Sequence, residues 1–205
     1  MKKEEAFNVI ISCAKRYHEN LENNNLLFVF GSKQKTEFFE TAFLPKHFLH
    51  LTGVEVSVNT FLGSVSFYEK CLIGRLSPDD FSLNKNGITK LKLAVLPQLT
   101  NIDRVAKMVG DYDSLKTSLY TEKLIGNIAA CVGFVRDGEY YVPNTILKED
   151  IRTISQHAQR VLAVYKKPVS QTLYNELCYL AKGIKQSSLI MPQEPRSLIS
   201  LDENI

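Results

Sequence analysis

The sequence predicts an α+β fold in which helices pack on an antiparallel β-sheet, and three observations predict it. Apolar residues recur at spacings of three and four near the amino terminus and through the middle third, as amphipathic helices require. Runs rich in aromatic and β-branched residues stand before and after that helical middle, as strands require. An Asp137-Gly138 pair separates two such runs, and Asp-Gly is among the strongest short hairpin signals.

The elements follow in order. Over residues 3–21, Ala6, Val9, Ile10, Cys13, Tyr17 and Leu21 form one apolar stripe, and Asn23-Asn24-Asn25 stops the helix. His18, among Arg16, Glu19 and Asn20, is expected in solvent. Residues 26–30 and 37–44 read as a β-hairpin around the polar link 31–36, which carries Lys33 and Lys35. Phe61, Val65, Tyr68 and Leu72 share a helical face that Gly74 would cap, and Ser77-Pro78-Asp79-Asp80 reads as a capped second helix start. Leu91, Ala94 and Val95, then Ile102, Val105, Ala106 and Val109, predict two helices broken at Pro97 and ended by Gly110. Residues 124–125, 129–135 and 140–146 read as strands. An Asp137-Gly138 turn would pair Arg136 with Glu139, Phe134 with Tyr141 and Cys131 with Asn144. Residues 161–166 make a further strand with Val161, Ala163 and Tyr165 on one side and Leu162, Val164 and Lys166 on the other. His157 falls in the polar link before it. Leu173, Leu177, Leu180 and Ala181 predict a last helix ended by Gly183.

The 205 residues suit a single domain, assigned to residues 1–185 with its helical section at about 60–112, followed by a loose tail over 186–205. With 44% apolar and 23% charged residues, the composition is that of a folded globular protein and excludes wholesale disorder. A net charge of +3 permits a nucleic-acid partner without demanding one. Cys13, Cys71, Cys131 and Cys178 are single, apolar in context and lack any C-x-x-C pair, so reduced thiols are expected, with no metal and no cofactor. No signal-type apolar core opens the chain and no apolar run reaches bilayer length, so the expectation is a cytoplasmic protein without a membrane partner.

Chemistry concentrates in Pro45-Lys46-His47-Phe48-Leu49-His50-Leu51-Thr52-Gly53-Val54. Histidine both gives and takes protons near neutrality, so two histidines three positions apart with a threonine nearby are the leading catalytic candidates. In a helix they share a face one turn apart; in a strand they point to opposite faces. The structural alternative is that a histidine among Phe48, Leu49 and Leu51 is a core residue.

Read together, residues 46–54, Cys71-Leu72-Ile73-Gly74-Arg75-Leu76-Ser77, Asp137-Gly138-Glu139-Tyr140-Tyr141-Val142-Pro143-Asn144-Thr145 and Val161-Leu162-Ala163-Val164-Tyr165-Lys166-Lys167 resemble the phage-type nuclease-like domains of the Barnase, EndoU, colicin and RelE group. The resemblance covers roughly residues 26–167. It implies a helical part followed by a small antiparallel sheet, a home on phages or integrated mobile elements, and metal-independent, toxin-type ribonuclease chemistry. It also implies that the histidine motif and the last two strands form the site. Asn144-Thr145 departs from the pattern, offering a threonine hydroxyl where a serine is expected.

RNA cleavage without a metal needs a base for the 2′-OH, an acid for the leaving oxygen and a cation for the phosphate. His50 is assigned as base and His47 as acid, in an order that is readily exchanged, with Thr52 as hydrogen-bonding neighbour. Lys166 or Arg136 would supply the cation, and Tyr165 could replace His47 or stack on a base. Asn144, Thr145 and Lys167 complete the expected substrate contacts. Core packing of Tyr165 and an Arg136–Glu139 ion pair are the structural alternatives. RNA is the expected partner, with a protein inhibitor or a host or phage protein beside it. The competing reading is an inactive mobile-element protein that binds RNA or protein on the same scaffold.

Overall fold

Alternation along one strand sets the layout of the molecule. In Asn24–Gly31 (β1), Leu26, Phe28 and Phe30 enter one hydrophobic cluster while Leu27 and Val29 enter another. The strand is buried on both faces, which is why its sequence is a continuous apolar run without visible alternation. The structure, a computed structural model, describes residues 1–32, 34–57, 62–115 and 119–200.

Lys3–Asn20 (α1) precedes β1, and Thr36–Ala42 (β2) closes the first hairpin. Then come Pro45–Thr52 (α2), Val54–Val56 (β3), Ser64–Leu72 (α3), Phe81–Leu83 (β4), Ile88–Leu99 (α4) and the single turn Ile102–Val105 (α5). Met108–Tyr112 (β5), Lys123–Gly126 (β6), Cys131–Asp137 (β7) and Tyr140–Leu147 (β8) form a meander, followed by Ile151–Ile154 (α6), Ser155–Pro168 (β9), Glu176–Leu180 (β10) and Gln193–Ser197 (α7). The large sheet runs β1-β2-β8-β7-β6-β5-β9-β10, and β9 also pairs with β1, so seven strands close a circuit with β10 attached to β9. Every pairing in it is antiparallel except a parallel bridge between β2 and β8 at Thr41 and Tyr141. The fold is therefore α+β, and the expected antiparallel sheet carries one parallel joint.

The helices α1 to α4 pack over the cluster that receives Phe28. The Tyr17 ring meets Phe43, Phe48 and Tyr68 edge-on at centroid distances of 6.2, 5.4 and 5.6 Å, arrangements that aromatic quadrupoles favour. Both buried phenols have partners: Tyr17 donates to the Leu44 carbonyl at 3.0 Å and Tyr68 to the Glu22 carboxylate at 2.6 Å. His18, exposed as expected, pairs with the same carboxylate.

Several local expectations change. Phe61 and Lys33 lie outside the described residues. Pro97 does not break α4, because it sits in the last turn, where burial of Leu93, Leu96 and Leu99 outweighs one missing hydrogen bond. Only one turn of the expected 102–109 helix forms. Val109 and Gly110 belong to β5, and a Cβ on Gly110 would sit 2.6 Å from the Ser155 hydroxyl, so the glycine serves strand approach rather than capping. The Gly138 turn is shifted by one residue: Asp137 pairs with Tyr140 and Arg136 with Tyr141, leaving Gly138-Glu139 as the loop. Gly138 takes φ +65° at the first loop position, where hairpins with one positive φ place glycine. A register shift between Gly133 and Phe134 then carries Cys131 to Leu147 instead of Asn144.

The strand at 161–166 extends back through His157, whose φ of +51° marks an irregular stretch. A bulge at Leu162 breaks the alternation, so Val161 faces the helices while Ala163 and Tyr165 face the opposite cluster. Residues 176–180 form β10 on β9 instead of a helix, leaving Leu173 and Leu177 exposed. Residues 186–200, expected as a loose tail, pack: Leu189 and Ile199 are buried beside Tyr165 and Tyr174, and Ile199 bridges to Tyr174.

Cys13, Cys71 and Cys131 are buried and Cys178 is half-buried, all four unpaired, with burial pushing Cys13 up to about 11 and the others up to about 12. Thiol titration without reductant is expected to find four groups after denaturation and far slower reaction in the native protein. A native protein that reacts at the denatured rate contradicts this packing. No helix among the described residues is long and apolar enough to cross a membrane.

Candidate active site at the α2–α4 groove

The histidine motif folds as a helix for local reasons. Leu44 is extended, Pro45 occupies the first turn, where its missing N–H costs nothing, and Gly53 ends the helix at φ +69°. His47 is buried, and its Nδ1 accepts the Leu44 backbone N–H at 3.1 Å, so the ring caps its own helix. Burial, with help from the Lys46 charge, lowers its pKa to about 4. His50, one turn on, is exposed and lines an open groove of about 560 Å³.

The groove lies between α2 and α4, with Thr145 of β8 on its wall; Lys46, Glu55, Ser64, Asn84 and Lys92 supply its other polar groups. Lys92 donates to the His50 backbone carbonyl at 2.8 Å. Gly53 makes that approach possible, since a Cβ there would stand 2.8 Å from Lys92 Cδ and the positive φ would strain any other residue. Thr89 fixes the register of the two helices: its buried hydroxyl donates to the Gly53 carbonyl at 2.6 Å and accepts the Asn84 N–H at 2.9 Å. The short β3–β4 ribbon places Glu55, whose carboxylate accepts the Asn84 amide at 3.0 Å.

Partial burial lowers the His50 pKa, the Lys92 charge lowers it further, and a hydrogen bond to the Asn144 backbone carbonyl acts against both. Burial alone brings Lys92 down to about 8. One groove thus offers a histidine held neutral and a lysine that releases its proton only a little above neutrality, a pair suited to acid and base work together.

Of the residues singled out from sequence, His50 and Thr145 line this groove, and Asn144 adjoins it through its backbone. The Asn144 side chain is occupied by the Thr121 hydroxyl and the Tyr120 carbonyl. Thr52 is fully buried, donating to the Leu49 carbonyl at 2.7 Å and accepting from the Val54 N–H. Tyr165 lies in the opposite cluster; burial pushes its phenol up to about 12, with the Gln186 side chain as its polar neighbour. Lys166 pairs with Glu176 at 3.0 Å. Lys167 is buried, donates to the Thr172 carbonyl at 3.0 Å and stands 4.8 Å from the Tyr174 ring centre. Arg136 donates to the Gly138 carbonyl at 3.2 Å, lies over Tyr141 and lines a separate depression with Glu37, Glu40, Glu139 and Glu194. None of these last five side chains lines the groove. Lys92, Glu55, Ser64 and Asn84 were missed, because a lysine or acid on an amphipathic element reads as solvated.

The sign of the His47 shift makes a prediction. Its folded pKa is depressed to about 4 from about 6.5, so the stability it confers is present above 6.5 and is lost as pH falls toward 4. The full loss is roughly 3 kcal/mol at 1.36 kcal/mol per unit. His47→Gln keeps an acceptor for the helix start and removes the titration, so denaturation curves between pH 7 and 4 should flatten in that variant. Equal acid sensitivity in both proteins contradicts the assignment.

Among the described residues, no three His, Cys, Asp or Glu side chains are grouped so as to hold a metal ion. No curated protein and no solved structure matches the chain. One family model does match, over residues 9–183, which span α2, the groove and the whole of the large sheet's strands. The chain therefore belongs to the phage-Barnase-EndoU-ColicinE5/D-RelE like nuclease 4 family.

Proposed function

We propose that this protein is a metal-independent endoribonuclease that cuts RNA in the α2–α4 groove, with His50 as general base and Lys92 as general acid and phosphate cation. The observation that carries the reading is that both residues line one groove, with Lys92 Nζ held 2.8 Å from the His50 backbone carbonyl. Neutral His50 takes the proton of a ribose 2′-OH, and that oxygen attacks the adjacent phosphorus. The bond to the 5′-oxygen breaks, Lys92 supplies its proton, and a 2′,3′-cyclic phosphate remains. Lys46, which lines the groove and pairs with Asp137 at 3.5 Å, adds charge for the phosphate when it turns from that exposed pair, and the Thr145 and Ser64 hydroxyls offer further contacts. Such an activity in the cytoplasm would be toxin-like, and a protein inhibitor that covers the groove is the partner it calls for.

The test is incubation of purified protein with mixed single-stranded RNA in excess chelator across a pH series. Activity should rise as His50 loses its proton, on a limb below pH 6.5, and fall as Lys92 loses its proton near pH 8. Lys92→Gln should lower the rate and remove the alkaline limb. Tight RNA binding without cleavage at any pH points instead to a binding protein on this scaffold.

A further inference from the structure

Beside the groove, and opening into it, lies a smaller apolar cleft between α4 and β8. Ile88, Lys92, Leu119 and Thr145 line both, while Leu91, Ile146 and Leu147 line the cleft alone. We propose that this cleft is a nucleobase subsite, which seats the base of a nucleotide next to the phosphate held at His50 and Lys92. The proposal rests on the ribonuclease reading of the groove.

Three observations carry it. The cleft holds about 190 Å³. That is below the roughly 300–1,000 Å³ of sites that enclose a whole small-molecule ligand, so it suits a single ring system with the sugar and phosphate left outside. Its walls are apolar side chains that stay in water, with Ile88 41%, Leu91 54% and Leu119 41% exposed. A planar base with an apolar face would cover them, and burial of that surface favours binding. Lys92 lines both the cleft and the groove, on the side where a phosphate would lie, while Lys148 and Glu149 line the cleft where β8 ends. A chain that enters base-first therefore puts its phosphate beside the cation.

The experiment uses a short oligoribonucleotide made uncleavable by one 2′-deoxy residue at its cut position. Intact and abasic versions on either side of that position are compared for binding to wild type and to Leu91→Ser, which removes an apolar wall from an exposed helix face. The cleavable counterparts are assayed in parallel. Removal of one of the two flanking bases should weaken wild-type binding about tenfold or more, and Leu91→Ser should lose that base dependence while keeping residual, phosphate-driven binding. Base-dependent binding that Leu91→Ser abolishes, without cleavage of the ribose version, upholds the subsite and overturns the ribonuclease reading. Equal binding of intact and abasic oligonucleotides overturns the subsite, whether or not the ribose version is cut. A base effect unchanged in Leu91→Ser overturns it as well.

Discussion

His50→Ala should lower RNA cleavage by on the order of a hundredfold or more and leave the protein folded, since a positioned general base is typically worth that much. The separation of the two effects follows from where the side chain sits. His50 is exposed at the groove, with its ring on the Asn144 backbone carbonyl, so truncation opens no cavity. Its melting temperature should stay within about 2 °C of wild type, as for other surface substitutions. The neighbouring histidine gives the contrast: His47 is buried and caps α2, so its loss acts through stability. Parallel rate and melting measurements on both variants check the assignment. If His50→Ala melts early and cuts at the wild-type rate, His50 is a packing residue and the groove needs another base.

Phe48→Ala should cost about 3–5 kcal/mol, the usual loss for a fully buried phenylalanine. Phe48 is 0% exposed, with ring centroids 5.4 Å from Tyr17 and 5.1 Å from Tyr68. It lies between the two histidines on the buried face of α2, so it anchors the helix that presents His50. Removing the ring leaves a cavity that rigid neighbours on α1 and α3 cannot fill, and the edge-on aromatic contacts go with it. For a chain of this size the shift in melting temperature is roughly 10 °C. Urea denaturation reads the free energy directly, and a loss below about 1 kcal/mol would mean that α2 is not anchored here.

How much of this was legible in the sequence depended on whether local pattern and tertiary demand agreed. They agree at the first hairpin, whereas the histidine stretch was open to helix and strand alike and folds as the helix that Pro45 and Gly53 delimit. They conflict at 173–181, where leucines at helical spacing end up on an edge strand because β9 offers an unpaired edge; Leu177 pairs there with Tyr165. The tail misled in the other direction. Its prolines and polar residues suggested looseness, but Leu189 and Ile199 close the cluster around Tyr165 and Tyr174. Of the site, the histidine was visible because histidine in an apolar run is chemically conspicuous. Lys92 was not, since Lys90 and Lys92 look alike on the helix, and only the approach of α4 to Gly53 brings one of them to His50. The bulge at Leu162 likewise lies in pairing geometry: it puts Val161 on the face opposite Ala163 and Tyr165, and neither Tyr165 nor Lys166 meets the groove.

The central claim is that the groove cuts RNA through the substrate's own 2′-OH, and the chemistry of the new ends tests it most directly. Mass spectrometry of products made in excess chelator should show 2′,3′-cyclic phosphate on one fragment and a free 5′-hydroxyl on the other. A single 2′-deoxy residue at the cut position should abolish cleavage there. Products that carry 5′-phosphate, or cleavage at the 2′-deoxy position, would contradict the account, because neither arises when His50 activates the neighbouring ribose hydroxyl.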